Sequence, residues 1–468
     1  MQGQKTRAAR VSANTLWAAL AGAIAVGSIA VLPSDGPVAW LAFALSTAAT
    51  AALIALVPKG TVWGCVALFA LVGAKDGLSV VDAASVSAFH VVLAALAIVV
   101  AIHFLKTRPR RLPRLSALEW ALAGPFLAGL WSLPTSIAPN ATVTYSARLL
   151  LLWLAAVLVA RTLRTEAERR NALIALVAGG VAISVVAVAQ WIWHRPAFGH
   201  FVVHGNAFDG TLIVRPAGFY LDPNFLGMYL VLASIAALAL AFGGGRRALL
   251  WLLPAAPMLG VIAITYSRSS WVSLVVGALV LVVLVPKKAR AWLAAVLAVG
   301  LVLAVVLVGP ASLITRVASV FDVEPDSSSA TRLLMTKSML EMIADRPVFG
   351  TGLEAFADAY PAYQSPGARE DVSHPHQVPL ALVAETGIAG LLAQIVLLGA
   401  AVAALRRVWR SGLSAADAAI IAGMAALLVG LFLQFFLYFE PLWLMTGLLA
   451  ASAGDAAPRG TVTRLAPG

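Results

Sequence analysis

Residues 249–308 read LLWLLPAAPMLGVIAITYSRSSWVSLVVGALVLVVLVPKKARAWLAAVLAVGLVLAVVLV. Three apolar runs, near 249–266, 270–286 and 291–308, are interrupted only by short polar punctuation. Each is long enough for a helix to cross about 30 Å of hydrocarbon. The runs are built of Leu, Val and Ala without the two-residue alternation of a barrel strand, so a helix is the form that satisfies their backbone in lipid.

The same reading extends in both directions. Apolar runs lie near 14–32, 37–57, 61–78, 86–105, 115–133, 143–161, 171–193 and 225–243 before the quoted stretch, and near 379–404, 417–435 and 440–453 after it. The predicted fold is all-α, a polytopic transmembrane bundle of about 12 to 14 spans. Composition agrees: 61% of the 468 residues are hydrophobic and 12% charged, against roughly 45–50% and about 25% in soluble domains. The first run follows the basic start MQGQKTRAAR and is followed at once by similar runs, so a retained span is expected rather than a cleaved leader.

A net charge of +12 raises the question of nucleic acid, but the placement of the charges answers it. With the N-terminus inside and the spans alternating, 23 of the 33 basic residues fall at inner ends, KTRPRRLPR (106–114) among them. About fifteen of the 21 acidic residues fall in outer loops. This is the positive-inside pattern of a protein of the cytoplasmic (inner) membrane, with both termini cytoplasmic. The inner clusters orient the chain and meet anionic membrane lipids; no nucleic-acid partner is expected. The one cysteine, Cys65, lies within a span, so no internal disulfide forms.

Two outer loops are long, and long loops on a rigid scaffold tend to carry function. The expected organisation is 1–308, transmembrane helices with an outer loop at 194–224; 309–378, an extracytoplasmic loop region; and 379–468, further spans and a cytoplasmic tail. No internal repeat and no separate soluble domain is visible. Within the longer loop, SSSATRLLMTKSMLEMIADRP predicts an amphipathic helix with Ser329 as N-cap and Leu333, Leu334, Leu340 and Ile343 as its apolar residues, ended by Arg346-Pro347. FGTG then makes a turn.

Arg215 and Arg268 stand at predicted outer membrane edges, closely flanked by apolar sequence. A charge in that setting faces a partner or a cavity. A phosphate suits the guanidinium fork; snorkelling to lipid head groups, or an ion pair with Asp222, would also account for them. Asp222-Pro223-Asn224 reads as a cap and helix start. Pro379 can begin a helix, which places His376 just before its N-terminus and Glu385 about two turns deeper. Imidazole, with an ordinary pKa near 6.5, can take a proton from a hydroxyl, and a helix N-terminus favours its neutral form. His376 is thus a candidate general base. Glu385 could orient a partner, pair with an arginine or hold the segment's geometry. His374 and His376 with Glu370 and Asp371 lack a strong ligand framework, so no metal and no cofactor is expected.

HQVPLALVAETGIAGLL (376–392) resembles the H-N-x-x-L-x-x-x-x-E-x-G segment of the O-antigen ligase and polymerase superfamily, bacterial polytopic membrane proteins. ATRLLMTKSMLEMIADRPVFGTGLEAF (330–356) resembles its approach to that segment, with R and P-x-x-G-x-G at the matching spacing. RPAGFYLDPNFLGMYL (215–230) and TYSRSSWVSL (265–274) are similar to two further recurrent blocks, and the resemblance covers roughly residues 140 to 450. Gln377 stands where the family has Asn.

What the resemblance implies is a GT-C-like, metal-independent, inverting glycosyltransferase at the outer face of the membrane. Its donor would be a glycan on undecaprenyl diphosphate and its acceptor a hydroxyl of a lipid or glycan. Arg215 and Arg268 would bind the diphosphate, Arg332 would position donor or acceptor, Glu385 would take part in substrate binding, and His376 would deprotonate the acceptor. Arg148, inside a span, would pair within the bundle. A ligase is the favoured reading; a repeat-unit polymerase shares the chemistry, and a membrane transporter is the alternative of another class.

Overall fold

The computed structural model describes residues 37–74, 79–81, 86–107, 114–193, 201–205, 212–220, 222–242, 246–285, 287–308, 328–365 and 375–455. The run at 14–32 and the residues Glu370, Asp371 and His374 lie outside them.

Helix dominates, and the helices fall on the apolar runs. Among the described residues six are long and apolar enough to cross a membrane: Ala88–Thr107, Pro139–Thr162, Glu166–Trp193, Pro223–Phe242, Val378–Ser411 and Ala415–Leu433. Shorter apolar helices include Gly60–Leu71 and Arg268–Leu284. In Arg268–Leu284 the exposed side chains are Val272, Val275, Leu279 and Val283, while Ser269, Ser270, Ser273 and Gly277 are buried. That is inside-out for water. Against lipid tails, which are as apolar as leucine, association comes from close packing by small residues. A Cβ on Gly277 would stand 2.4 Å from Ile235 and 3.1 Å from the Ala422 carbonyl oxygen.

The structure departs from the sequence reading at three places. The run at 115–133 is two short helices, Ala117–Ala121 and Gly124–Ser132. Ser116 and Glu119 cap the first, and Pro125 in the first turn of the second lacks the amide that would continue the ladder. Two small antiparallel hairpins qualify the all-α expectation: Ser79–Val81 with Val86–Ser87, and Phe201–Gly205 with Leu212–Pro216. The second uses the β-branched residues of FVVHG and LIVRP. In the outer-loop helix Ser328–Asp345, Ser329 lies in the first turn rather than before it, and the buried stripe is Met335, Ser338, Met339 and Met342. Leu333 and Leu340 are exposed.

The chain divides into two compact units, residues 1–113 with 170–226, and 114–169 with 227–468. In the first, Gly60–Leu71 packs against Ala88–Thr107 through Gly64, where a Cβ would meet Leu96 at 2.7 Å. Cys65, Leu68, Phe69, Phe89 and Leu96 form its core.

In the second unit, Pro139–Thr162 packs on Glu440–Asp455 through Gly447, where a Cβ would meet the Ala156 carbonyl oxygen at 2.6 Å. Its helix ends sort into two groups. At one end Arg161 forks onto Glu119, with Nη2 2.7 Å from Oε2. There too Arg169 reaches Asp455 at 3.2 Å and Asp417 at 3.9 Å. The turns near 131–142, 347–353 and 434–440 gather at the other end, tied together by the contacts described next.

Candidate functional site

The 34-residue helix Val378–Ser411 breaks at Gly387, whose φ of 60° and ψ of −143° only glycine adopts without strain. A break exposes backbone groups, and the segment after the outer-loop helix satisfies them. Thr351 N donates to Ala384 O at 3.1 Å, Gly352 N to Glu385 O at 2.8 Å, and Ile388 N to Pro347 O at 2.9 Å. The backbones meet so closely that a Cβ on Gly350 would lie 2.3 Å from the Glu385 carbonyl. On its other side the segment is held by Trp131 Nε1 to Val348 O at 2.9 Å, Ile137 N to Thr351 O at 3.0 Å and Thr142 Oγ1 to Leu353 O at 2.9 Å. P-x-x-G-x-G and E-x-G are two halves of one backbone junction.

Glu385 is 1% exposed. Its Oε1 accepts from the amide of Phe356 at 3.3 Å, the first residue of helix Phe356–Tyr363, and its Oε2 is buried without a hydrogen-bond partner among the described residues. The bond to Phe356 ties Glu385 into the geometry of this segment.

Next to it stands a residue that the sequence reading passed over. Glu354 has a left-handed backbone, φ 60°, and its carboxyl faces Tyr438, Arg148 and Glu385. Burial pushes it up to about 7, against the downward pull of the Tyr438 hydroxyl and the Arg148 charge. Arg148 is committed elsewhere as well. Its Nη2 is 3.4 Å from Glu440 Oε1 and its guanidinium lies 5.4 Å from the centroid of the Tyr438 ring, as the expected pairing within the bundle requires. The signal that could have found Glu354 is a carboxylate amid the glycines of GTGLEAF, in a turn with no solvating neighbours.

The cationic part of the site lies in the same unit. TYSRSS turns one helix into the next: Tyr266 takes φ 51°, and Ser267 caps the new helix by accepting from Ser270 N at 3.3 Å. Arg268 is thereby the first residue of helix Arg268–Leu284, where unsatisfied amides and the dipole add positive potential. Its charge reaches Arg332 on the outer-loop helix. Burial first, and Arg268 second, hold the Arg332 guanidinium below its ordinary value. The Arg332 Nε is buried without a hydrogen-bond partner among the described residues.

His376 joins this cluster through its neighbour. Helix Val378–Ser411 starts as expected, with Gln377 as N-cap and Pro379 in the first turn, so His376 lies just outside the N-terminus with its Nδ1 buried. Gln377 Nε2 donates to Thr336 Oγ1 at 2.9 Å, and Thr336 lies one turn beyond Arg332. The charge of Arg268 thus acts on Arg332, and the segment that carries His376 is tied through Gln377 to the helix that carries Arg332, while Glu385 bonds into the junction deeper in the same helix.

Arg215 belongs to the first unit. It sits opposite Val202 in the hairpin, and its Nη2 donates to Asn224 Oδ1 at 3.4 Å. The turn after it is fixed by Gln190, which donates to Gly218 O at 2.8 Å and accepts from Gly218 N at 2.9 Å. Asp222 Oδ1 accepts from Asn224 N at 2.6 Å, which caps the helix begun by Pro223.

Apolar helices long enough to cross a membrane, with lipid-type packing, mark an integral membrane protein. Residues 253–395 match the family model described as O-Antigen ligase, which supports the superfamily resemblance read from the sequence. The match encloses Arg268, Arg332, Glu354, His376 and Glu385. That family carries out glycosyl transfer in membranes, as ligases or polymerases on lipid-linked glycans. No curated protein matches the chain.

Proposed function

We propose that the protein is an O-antigen ligase-like glycosyltransferase of the cytoplasmic membrane. It moves a glycan from undecaprenyl diphosphate to an acceptor hydroxyl at the outer face, with inversion and without a metal. The scaffold is a GT-C-like bundle of 12 to 14 spans with both termini cytoplasmic. The observation that supports the reading is the buried Arg332 Nε, without a described partner, on the helix to which the Gln377–Thr336 bond of 2.9 Å ties the His376 segment; the Arg268 charge acts on the same guanidinium. Two like charges brought together are stabilised by an anion between them, and a diphosphate offers paired acceptors to both forks.

In the reaction the acceptor oxygen attacks the anomeric carbon from the face opposite the diphosphate. His376 takes the hydroxyl proton. The bond from the anomeric carbon to the diphosphate oxygen breaks, its electron pair goes to the leaving group, and Arg268 and Arg332 stabilise the charge that develops there, while Arg215 is assigned to the diphosphate from the sequence resemblance alone. Glu385 keeps the helix start that carries His376 in place.

The test is transfer by purified protein from the lipid-linked glycan that accumulates when the gene is deleted. Single addition to an acceptor supports a ligase, and a ladder of products would move the assignment to a polymerase. Failure of any lipid-diphosphate glycan to accumulate, with solute flux lost instead, would return the protein to the transporter class.

A further inference from the structure

The position that departs from the family pattern, Gln377, is bonded across the site. Its Nε2 donates to Thr336 Oγ1 at 2.9 Å, and the same hydroxyl donates to the carbonyl of Arg332 at 2.8 Å. One hydroxyl therefore serves both as acceptor for the His376 segment and as donor to the residue that carries a cluster arginine. Neither Gln377 nor Thr336 is fully buried. Gln377 is the extended residue before a helix, with φ −152° and ψ 133°, and its side chain makes no cap bond to its own helix. The first turn after Gln377 contains Pro379, which leaves fewer amides for a local cap to satisfy. The side chain is thus directed outward to the neighbouring helix instead of inward to its own.

We propose that Gln377 and Thr336 form a positioning tether that sets His376 against the Arg332-bearing helix, so that the base and the diphosphate-binding cation keep a fixed separation during transfer. The proposal rests on the reading of His376 as the base. Reach is the specific requirement. An asparagine at 377 is one methylene, about 1.5 Å, shorter, and from this backbone it falls short of Thr336. The tether holds geometry and does not touch the donor, so its loss lowers the rate of the chemical step rather than donor affinity.

The experiment uses full-length protein in detergent or nanodiscs with Gln377→Ala, Gln377→Asn, Thr336→Val, Thr336→Ser and the double variant Gln377→Ala/Thr336→Val. Two readouts are taken: transfer kinetics, and the rate at which diethyl pyrocarbonate modifies His376, followed at that residue by mass spectrometry. Removing either end should lower kcat roughly 10- to 100-fold while KM for the donor changes less than about 2-fold. Thr336→Ser keeps the hydroxyl and should recover most of the rate; Gln377→Asn should not. The double variant should be no worse than the poorer single one, because both remove one bond. Modification of His376 should accelerate in every variant that lacks the bond and stay at the wild-type rate in Thr336→Ser.

Additive losses, a wild-type rate for Thr336→Val, or His376 modification unchanged by all variants would overturn the tether. His376→Ala is assayed alongside. If it transfers normally, the base assignment fails, while the modification rates still decide whether the tether exists.

Discussion

The amide of Ile388 donates to the carbonyl of Pro347 at 2.9 Å, and this bond closes the break in the long helix with a segment that lies just beyond the outer-loop helix. Gly387 makes it possible. A Cβ there would stand 2.4 Å from the Val348 carbonyl oxygen, on a backbone that L-residues avoid. Gly387→Val should destabilise the protein by about 2–4 kcal/mol through strain and clash together. Gly399→Ala, with nothing within 4 Å of the added Cβ, should be neutral or slightly stabilising. Thermal unfolding in one detergent compares them, and equal midpoints for the two variants would contradict the junction.

Replacing Arg215, Arg268 or Arg332 by Ala should each weaken binding of undecaprenyl diphosphate roughly 10- to 100-fold, the range of a lost charge-assisted hydrogen bond. Lys should restore part of it, since it keeps charge without the fork. Titration of each variant with the lipid diphosphate is the measurement. Unchanged affinity in all three would return these arginines to lipid head groups and internal partners.

His376→Ala should cost roughly 10²–10⁴-fold in kcat and leave affinity for undecaprenyl diphosphate intact, because the diphosphate is held by arginines and not by the imidazole. His374→Ala should do much less. Transfer should survive EDTA. Loss with EDTA that a divalent ion restores, together with equal damage from the two histidine changes, would replace the base with a metal site.

Glu354 sets a pH dependence whose sign is fixed. Its carboxyl is raised from 4.5 to about 7 by burial, so between those values the folded state holds a proton that the unfolded chain releases. The stabilising contribution is therefore full below about 4.5 and is lost as pH rises through 7. Glu354→Gln should remove that loss, raising stability above pH 7 by at most about 3 kcal/mol and flattening the curve between pH 5 and 8. Melting curves across that range test it, and a variant that parallels the wild type would show that the carboxyl is not buried in this way.

Cysteines introduced at Gly205 and Ser328 should react in intact cells with an impermeant thiol reagent, and one at Ser411 should not. The reverse pattern would invert the topology and move the arginine and histidine cluster to the cytoplasmic side.

Much of this was legible in the chain because it is local. Apolar run length specifies helices in lipid, Asp222-Pro223 caps the helix that follows it, and Pro379 places His376 before a helix start; each depends on residues within one turn of each other. The rest needed partners far away in sequence. That Glu385 bonds Phe356, that Glu354 is buried against Tyr438 and Arg148, and that Gln377 reaches Thr336 are decided by which segments meet. The outer-loop helix shows why periodicity alone falls short: Met335, Met339 and Met342 are buried while Leu333 and Leu340 face out. Beside a membrane, an apolar side chain gains as much from lipid as from protein, so hydrophobicity marks a residue as membrane-compatible and only packing against neighbouring helices selects the face that turns inward.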